Sequence, residues 1–338
     1  MSTYQVTNQL SGTSFATDRD ESILDAAIKH GVNFPYGCKN GFCGQCKAVI
    51  ETGEVAYDND ELPAGLDQDD HEHGVAFLCQ CKAKSDVTLS VAEIDPALSA
   101  IQTKTLSCTV EAINKLNHDV AEVVLKTPSD NTLQYLAGQY IDIIYPEIGM
   151  RAFSIANAPH NSQHLELHIR LIEDGEFTQL VFNEMQPKAK LNIEGPKGSF
   201  YLRDKSENAI LLVAGGTGFG PVKAMVEHAI EAQIDREIFI YWGVRDTQDL
   251  YSDLPKQWAD AHENIHFVPV LSQSTGHWDG ATGYVHEQVL ADFETLVDYD
   301  VYACGPPQMV KSAANEFVKL GMNERNFFSD AFEFATKA

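Results

Sequence analysis

The chain has 338 residues, of which 44% are hydrophobic, and its 24 basic and 49 acidic residues give a formal net charge of −25. This length predicts two or three domains, and the negative charge argues against nucleic acid or an anionic membrane as a partner. Without a long apolar run or a basic, apolar leader, the sequence predicts a soluble cytoplasmic protein.

The N-terminal segment has the pattern of a small mixed domain. Loose alternation over residues 2–17 predicts two short strands, and Glu21 to Gly31 has the spacing of a helix that ends at glycine. A strand from Lys47 to Glu51, an acidic loop over residues 54–73 and a strand from Val87 to Val91 follow. We expect the acidic surface to be the docking face for a partner with basic residues, while simple solubility explains the overall acidity at least as well.

Three cysteines, Cys38, Cys43 and Cys46, follow the predicted helix with gaps of four and two residues. This spacing is typical of plant-type [2Fe-2S] sites, in which four thiolates hold two irons. Structural zinc favours paired short spacings, and seven cysteines are an odd number for disulfides. The motif therefore predicts a [2Fe-2S] cluster, with Cys79 or Cys81 as its fourth ligand.

From about Thr105 the pattern changes to short alternating strands with Asn, Pro and Gly turns, which predicts a small antiparallel barrel. The predicted barrel strands are Cys108–Ile113, Val120–Thr127, Tyr140–Ile144, His164–Leu171 and Ala189–Ile193.

From Ala209 apolar strands alternate with helical periods, which predicts a doubly wound parallel α/β domain. The predicted strands are Ile210–Ala214, Glu237–Trp242, Ile265–Pro269 and Asp300–Cys304, and the predicted helices are Val222–Ala232, Leu254–His262, His286–Leu290 and Gln308–Leu320. We expect three domains over residues 1–95, 103–204 and 207–338, with residues 95–100 as a linker.

A glycine-rich loop lies between the strand that ends at Ala214 and the helix that begins near Val222, and it consists of Gly215, Gly216, Thr217 and Gly218. Glycines let a pyrophosphate approach the backbone, and the helix N-terminus offers partial positive charge. Cys304 and Gly305 close the last central strand at the edge where such folds bind ligands. These positions predict a dinucleotide site, although Cys304 also fits a buried structural residue.

Two short segments of the predicted barrel carry groups that suit a flavin nucleotide. Arg151 can clamp a phosphate, Phe153 can lie against a flat ring, and Ser154 can hydrogen-bond a ring nitrogen. Gly175 and Thr178 begin a predicted helix about twenty residues later. On the residues alone, both segments also fit ordinary turns.

The whole arrangement resembles the three-module reductases that join a plant-type ferredoxin, a ferredoxin-NADP-reductase-like FAD domain and a nicotinamide domain, as in benzoate dioxygenase reductase and methane monooxygenase reductase. The family's Arg-x-Tyr-Ser, Gly-x-x-Ser/Thr, Gly-Gly-Thr-Gly and Cys-Gly-Pro motifs match Arg151–Ser154, Gly175–Thr178, Gly215–Gly218 and Cys304–Pro306. Phe153 departs from the family's tyrosine, which keeps a ring for stacking and loses a hydroxyl.

The resemblance implies a β-grasp plant-type [2Fe-2S] ferredoxin domain, an antiparallel β-barrel FAD domain and a doubly wound parallel α/β NAD(P)-binding domain. In plant-type ferredoxins the last ligand precedes a Ser-Asp pair by six residues, which implies Cys79 and leaves Cys81 as a buried thiol. Cys304 would lie beside the reacting nicotinamide carbon, with Ser154, Asp330 and the aromatic Phe332 at the flavin.

The implied function is electron transfer from NAD(P)H through FAD and the cluster to a separate oxygenase, by a monomer. The C-terminal half is similar to CDP-6-deoxy-glucoseen reductase, in segments around Tyr241–Gly243, Trp278–His286 and Phe327–Phe332. An alternative partner is therefore an iron–sulfur dehydrase in deoxysugar synthesis, and a further alternative is a non-enzymatic electron carrier. Arg245 can bind the 2′-phosphate of NADPH, but the neighbouring Asp246 would repel it, which favours NADH.

Overall fold

The structure is a computed structural model that describes residues 3–94, 101–273 and 276–332. The chain falls into two units, Met1–Ile101 and Gln102–Ala338. The predicted linker over residues 95–100 lies outside the described residues. Within the described ranges, no helix has the length and apolar character needed to span a membrane.

The first unit is built on a five-stranded mixed sheet in the order β2-β1-β7-β3-β5, in which β1 and β7 run parallel. Its strands are β1 (Thr3–Asn8), β2 (Ser14–Asp18), β3 (Lys47–Thr52), β4 (Val55–Ala56), β5 (Val75–Phe77), β6 (Lys82–Ala83) and β7 (Val87–Ser90), and its helices are α1 (Ile23–Lys29) and α2 (Gln68–Glu72). Ser22 caps α1 by accepting the Asp25 N–H, and the buried face of α1 joins the core beneath the sheet. This is the expected β-grasp arrangement, and the predicted acidic loop contains β4 and α2.

The second unit begins with a six-stranded antiparallel sheet in the order β11-β10-β13-β8-β9-β12. Its strands are β8 (Lys104–Lys115), β9 (Val120–Lys126), β10 (Tyr140–Tyr145), β11 (Gly149–Ser154), β12 (His164–Arg170) and β13 (Lys190–Lys197), and α3 spans Glu176–Asn183. A β-bridge between Ile155 and Leu167 joins the two edges of this sheet. The predicted barrel is therefore confirmed, with a fully buried Cys108 in its core as expected.

The rest of the second unit is a six-stranded parallel sheet in the order β17-β16-β15-β14-β18-β19. Its strands are β14 (Ala209–Gly215), β15 (Ile238–Val244), β16 (Ile265–Leu271), β17 (Ala281–Thr282), β18 (Tyr299–Gly305) and β19 (Phe327–Ala331), and its helices are α4 (Phe219–Glu231), α5 (Leu254–Ala261), α6 (Val285–Asp292) and α7 (Pro307–Phe317). The doubly wound fold is confirmed, with β17 and β19 as edge strands beyond those predicted. The strand order reverses between β14 and β18, and such a reversal opens a ligand crevice at the carboxyl ends of the strands.

A buried lysine joins the barrel to the parallel sheet. Lys223, on α4, places its Nζ 3.0 Å from Glu166 Oε2 on β12 and 2.8 Å from Glu227 Oε1. The same Nζ donates to the Ala156 carbonyl at 3.1 Å, just beyond β11. Burial alone would lower the pKa of Lys223, but the two carboxylates outweigh it and raise the pKa. Lys223 therefore remains charged and holds the two sheets in register.

Replacing Lys223 with methionine should lower the free energy of unfolding of the protein by about 3 kcal/mol, because Glu166 would lose its buried counter-charge. Chemical denaturation followed by far-UV circular dichroism measures the change. Lys256→Met, at an exposed position on α5, is the matched control and should change stability by less than about 0.5 kcal/mol. Equal stability of the two variants would show that Lys223 does not join the sheets.

Candidate functional site

The four predicted ligand thiols lie together in the first unit. The Cys38 N–H donates to Cys43 Sγ at 3.5 Å, and the Cys43 N–H donates to Cys38 Sγ at 3.4 Å. A hydrogen bond with Cys43 lowers the pKa of Cys38 to about 6, and a hydrogen bond with Cys46 lowers the pKa of Cys79. The same two hydrogen bonds raise the pKa of Cys43 and of Cys46.

This arrangement suits bound iron ions, because positive charge stabilises all four thiolates together. Hydrogen bonds between the thiols alone favour the thiolate of only one cysteine in each pair. Backbone N–H groups of Asn40 and Phe42 point at Cys38 Sγ, and that of Gly41 points at Cys79 Sγ. Gly41 has a φ of +84°, and an added Cβ would lie 2.8 Å from Pro63 Cβ. The donor set and the N–H groups fit a [2Fe-2S] cluster.

Cys81 lies in a different environment from Cys79. Its side chain is fully buried, and burial raises its pKa. Its carbonyl accepts the N–H of Ile23, the first residue of α1. Between the two cysteines, Gln80 Nε2 donates to the carbonyls of Lys39 and Cys79 at 2.8 and 3.1 Å. These contacts hold Cys79, and not Cys81, against the loop that carries the other three thiols.

The two segments predicted to bind a flavin meet on the barrel. Phe153, at the end of β11, packs against Phe177 of α3 with 5.4 Å between ring centroids. Gly175 precedes that helix, and Thr178 Oγ1 lies 3.0 Å from the Gly175 carbonyl oxygen and accepts the Ile172 N–H. The guanidinium of Arg151 is partly exposed and donates to the Met150 carbonyl. An arginine, an aromatic ring and a helix N-terminus thus share one surface that can hold a flavin nucleotide.

The three predicted catalytic residues converge where the barrel meets the parallel sheet. Ser154 Oγ donates to Asp330 Oδ2 at 3.5 Å, and Asp330 is the neighbour of Cys304 across strands β19 and β18. Cys304 is fully buried, and burial together with the Asp330 carboxylate raises its pKa. A neutral thiol, a hydroxyl and a carboxylate therefore line the same edge of the crevice.

The glycine-rich loop packs directly on the end of β18. A Cβ on Gly218 would lie 2.1 Å from the Cys304 carbonyl oxygen, and one on Gly305 would lie 2.9 Å from Gly215 Cα. Gly216, Thr217 and Gly218 form a tight turn immediately before α4. Only glycines allow these two loops to approach so closely. The backbones of the two loops form one continuous surface at the N-terminus of α4.

The remaining predicted residues lie on either side of the surface that the two loops form. Phe332 is partly buried, and its N–H donates to the Gly305 carbonyl at 2.8 Å. Arg245, directly after β15, pairs through Nε with Asp249 Oδ2 at 3.2 Å. The Asp246 carboxylate caps the following turn by accepting the Thr247 N–H. Phe332 therefore lies next to Cys304, and Arg245 lies at the opposite end of the crevice.

Sequence reasoning missed three charged residues of this region. Arg170 ends β12, and a Cβ on Gly216 would lie 2.9 Å from its Nη1. Asp119 lies 3.0 Å from Arg170 Nε and 3.4 Å from Arg245 Nη2, and Asp249 is buried beneath Arg245. Aspartate and arginine are common at any protein surface, and these three residues lie in segments that are distant in sequence. No local sequence pattern therefore identifies them as part of the site.

Comparison with known proteins gives matches over nearly the whole chain. Residues 6–84 match the 2Fe-2S iron-sulfur cluster binding domain, residues 107–201 the oxidoreductase FAD-binding domain, and residues 212–315 the oxidoreductase NAD-binding domain.

Two relatives and one solved structure match this chain over nearly its whole length. The CDP-6-deoxy-L-threo-D-glycero-4-hexulose-3-dehydrase reductase of Yersinia pestis is 43% identical, over 95% of this chain and 96% of the relative. The phenol hydroxylase P5 protein of Acinetobacter pittii is 33% identical, over 97% and 94%. The crystal structure of the Amycolatopsis cytochrome P450 reductase GcoB has a TM-score of 0.77 and 26% identity, covering 97% of this chain and 98% of that one.

The sites and the comparisons agree on the cofactors. The four-thiol loop lies within the 2Fe-2S match, the Phe153–Phe177 surface within the FAD match, and the glycine-rich loop within the NAD match. The FAD- and NAD-binding domain matches and the reductase-named relative show an oxidoreductase, as expected, rather than the alternative of a non-enzymatic carrier. The chain belongs to the iron–sulfur flavoprotein reductases that combine these three domains, and it transfers electrons from NAD(P)H by way of FAD and a [2Fe-2S] cluster.

Proposed function

We propose that this reductase takes electrons from NADH and supplies them to a separate iron–sulfur dehydrase that acts on a nucleotide-linked deoxysugar. The observation that carries the partner class is the 43% identity to the Yersinia pestis dehydrase reductase over almost the full length of both chains. Action as a monomer and a cytoplasmic location stay predictions.

Each group of residues has a proposed task. Cys38, Cys43, Cys46 and Cys79 hold the cluster; Arg151, Phe153, Ser154, Gly175 and Thr178 hold FAD; Gly215, Gly216, Thr217, Gly218, Arg245 and Gly305 surround the nicotinamide nucleotide. When bound, FAD would supply the acceptor for a hydride from the nicotinamide, and the cluster would supply single-electron transfer onward. The chain supplies position and a dry environment for this exchange.

The residues at the reacting edge have distinct proposed roles. Cys304 is neutral and fully buried, so it excludes water beside the nicotinamide without adding a charge. Ser154 Oγ lies 3.5 Å from Asp330 Oδ2, and this contact fixes the position of the Ser154 oxygen at the proposed flavin edge. Phe332, tied by its N–H to Gly305, covers the flavin from the other side.

The acidic segment over residues 54–73 is the proposed docking face for the acceptor. It packs on the cluster loop, because the Gly65 N–H donates to the Gly41 carbonyl at 2.9 Å. The carboxylates of Asp58 and Asp69 are largely exposed, with 76% and 89% of each side chain accessible, and each also lies near a basic side chain, at 2.7 Å from Lys82 Nζ and 3.8 Å from His73 Nδ1. Exposed negative charge beside the cluster would steer an acceptor with a basic surface toward it.

The partner class can be tested by measuring NADH oxidation with two purified acceptors. We expect the Yersinia pestis CDP-6-deoxy-hexulose 3-dehydrase with its sugar nucleotide to stimulate turnover. The oxygenase component of an Acinetobacter phenol hydroxylase should stimulate it less. Stronger stimulation by the oxygenase would favour the second candidate, and no stimulation by either acceptor would exclude both partner classes.

The second candidate function is electron supply to an oxygenase, which was the first expectation from the sequence. It is supported by the 33% identity to the phenol hydroxylase P5 protein over 97% of this chain. The same reductase chemistry serves both candidates, and only the acceptor differs.

A further inference from the structure

We propose that Asp119 and Asp249 determine the preference for NADH by holding Arg245 away from the 2′-phosphate of NADPH. This inference rests on the proposed function and names residues of the nucleotide site that set its specificity. Asp119 belongs to the turn between β8 and β9 of the barrel, and Asp249 follows β15 of the parallel sheet.

The position of Arg245 makes it the natural partner for a 2′-phosphate. In doubly wound folds the pyrophosphate lies at the loop after the first strand, and the residue after the neighbouring strand meets the 2′ position of the adenosine ribose. Gly215 pairs with Gly243 across β14 and β15, and Trp242 Nε1 donates to the Gly216 carbonyl at 2.9 Å. Arg245 thus directly follows a strand, β15, that is tied to the glycine-rich loop.

The guanidinium of Arg245 is already neutralised by two carboxylates. Its Nε lies 3.2 Å from Asp249 Oδ2, and its Nη2 lies 3.4 Å from Asp119 Oδ2. The Asp249 side chain is only 2% exposed and that of Asp119 17%, so water screens neither strongly, whereas 56% of Arg245 is accessible. A phosphate that approached Arg245 would therefore meet an arginine whose positive charge is already balanced by Asp119 and Asp249.

The other charged residues around Arg245 do not supply an unpaired arginine for a phosphate. Arg170 Nε lies 3.0 Å from the same Asp119 Oδ2. Asp119 Oδ1 and Asp249 Oδ1 accept no hydrogen bond from any described residue, and His118 Nε2 lies 3.7 and 3.6 Å from them. Two arginines thus face two aspartates, and both aspartates keep an oxygen with acceptor capacity. A doubly charged phosphate would add negative charge to this group of two arginines and two aspartates, with no further positive charge to balance it.

The pairing of Arg245 with Asp119 and Asp249 gives a basis for NADH preference that differs from the expected repulsion of a 2′-phosphate by Asp246. That carboxylate is engaged in the cap of the turn at Thr247, at 2.6 Å from its N–H. The Asp246 N–H itself donates to Asp249 Oδ2 at 3.3 Å. Asp249 therefore organises both the turn and the arginine, and Asp119 adds a contribution from the barrel.

The test is the ratio of kcat/KM for NADPH to that for NADH, measured with the holoenzyme and an artificial dye. We expect Asp119→Asn to raise this ratio about tenfold, because it removes one negative charge beside the 2′ position and releases Arg245. Effects of Asp119→Asn on Arg170, which lies at the glycine-rich loop, act on both nucleotides equally and cancel in the ratio. Asp249→Asn should shift the ratio in the same direction.

Two further proteins complete the experiment. The double variant Asp119→Asn/Arg245→Gln should return to the wild-type ratio, since the gain requires the released arginine. Asp279→Asn, at a side chain with 90% exposure, is the charge-matched control and should leave the ratio unchanged. An unchanged ratio in both aspartate variants, or a wild type that prefers NADPH, would overturn the inference and leave the reductase function intact. Failure of the wild type to use either nucleotide would overturn both.

Discussion

Replacing Cys43 with alanine should abolish the cluster and electron delivery to a protein acceptor, while NADH-to-dye activity through FAD persists. The four thiols lie in the first unit, Met1–Ile101, whereas the flavin and nucleotide residues all lie in the second. Loss of one of four thiolate ligands leaves an iron without its ligand set. Iron and flavin content, visible absorbance and the two activities measure the result.

Cys81→Ala is the matched control for this experiment. Cys81 is fully buried beside the site, so its loss leaves a small cavity but should leave the cluster and both activities in place. Loss of the cluster in Cys81→Ala with retention in Cys79→Ala would reverse the assignment of the fourth ligand. Loss of dye activity together with the cluster in Cys43→Ala would contradict the separation of the two units.

Replacing Gly218 with alanine should lower kcat/KM for NADH by about 100-fold, because a displacement of about 1 Å at a reacting centre has an effect of this size. The added Cβ would lie 2.1 Å from the Cys304 carbonyl oxygen and 2.7 Å from its carbon. Both atoms belong to the backbone, so one of the two loops must shift. The cluster and FAD content should remain at the wild-type level.

Gly276→Ala is the control for the glycine substitution, since a Cβ at this position meets no atom within 4 Å. It should keep the wild-type kcat/KM. Anaerobic stopped-flow reduction of the flavin separates slow hydride transfer from weak nucleotide binding in Gly218→Ala. A wild-type rate in that variant would mean that the glycine-rich loop does not position the nucleotide.

The parts of the site that could be predicted from sequence are local in sequence. Cys38, Cys43 and Cys46 form a spacing that few other sites share, and the glycine-rich loop lies between a clear strand and a clear helix. The change from alternating strands to strand–helix units marked the barrel and the parallel sheet. Periodicity was sufficient there because each element is long enough to show it.

The parts that could not be predicted depend on contacts between distant segments. Ser154 and Asp330 are 176 residues apart, and only the family resemblance placed them at one site. Asp119, Arg170 and Asp249 are ordinary surface residue types until the fold brings them together. The edge strand β17 has two residues, too few for any pattern. Asp246 was expected to repel a 2′-phosphate, and that expectation stays a prediction; its role as the cap of the turn at Thr247 carried no signal in the sequence.

One chain carries electrons from a nicotinamide nucleotide to both of its cofactors. Anaerobic addition of NADH to the purified holoenzyme tests this electron transfer most directly, with flavin absorbance and the EPR signal of the reduced cluster recorded on the same sample. We predict that the flavin absorbance bleaches and that the cluster signal appears in the wild type, and that only bleaching occurs in Cys43→Ala. A cluster that stays oxidised in the wild type while the flavin bleaches would contradict this account.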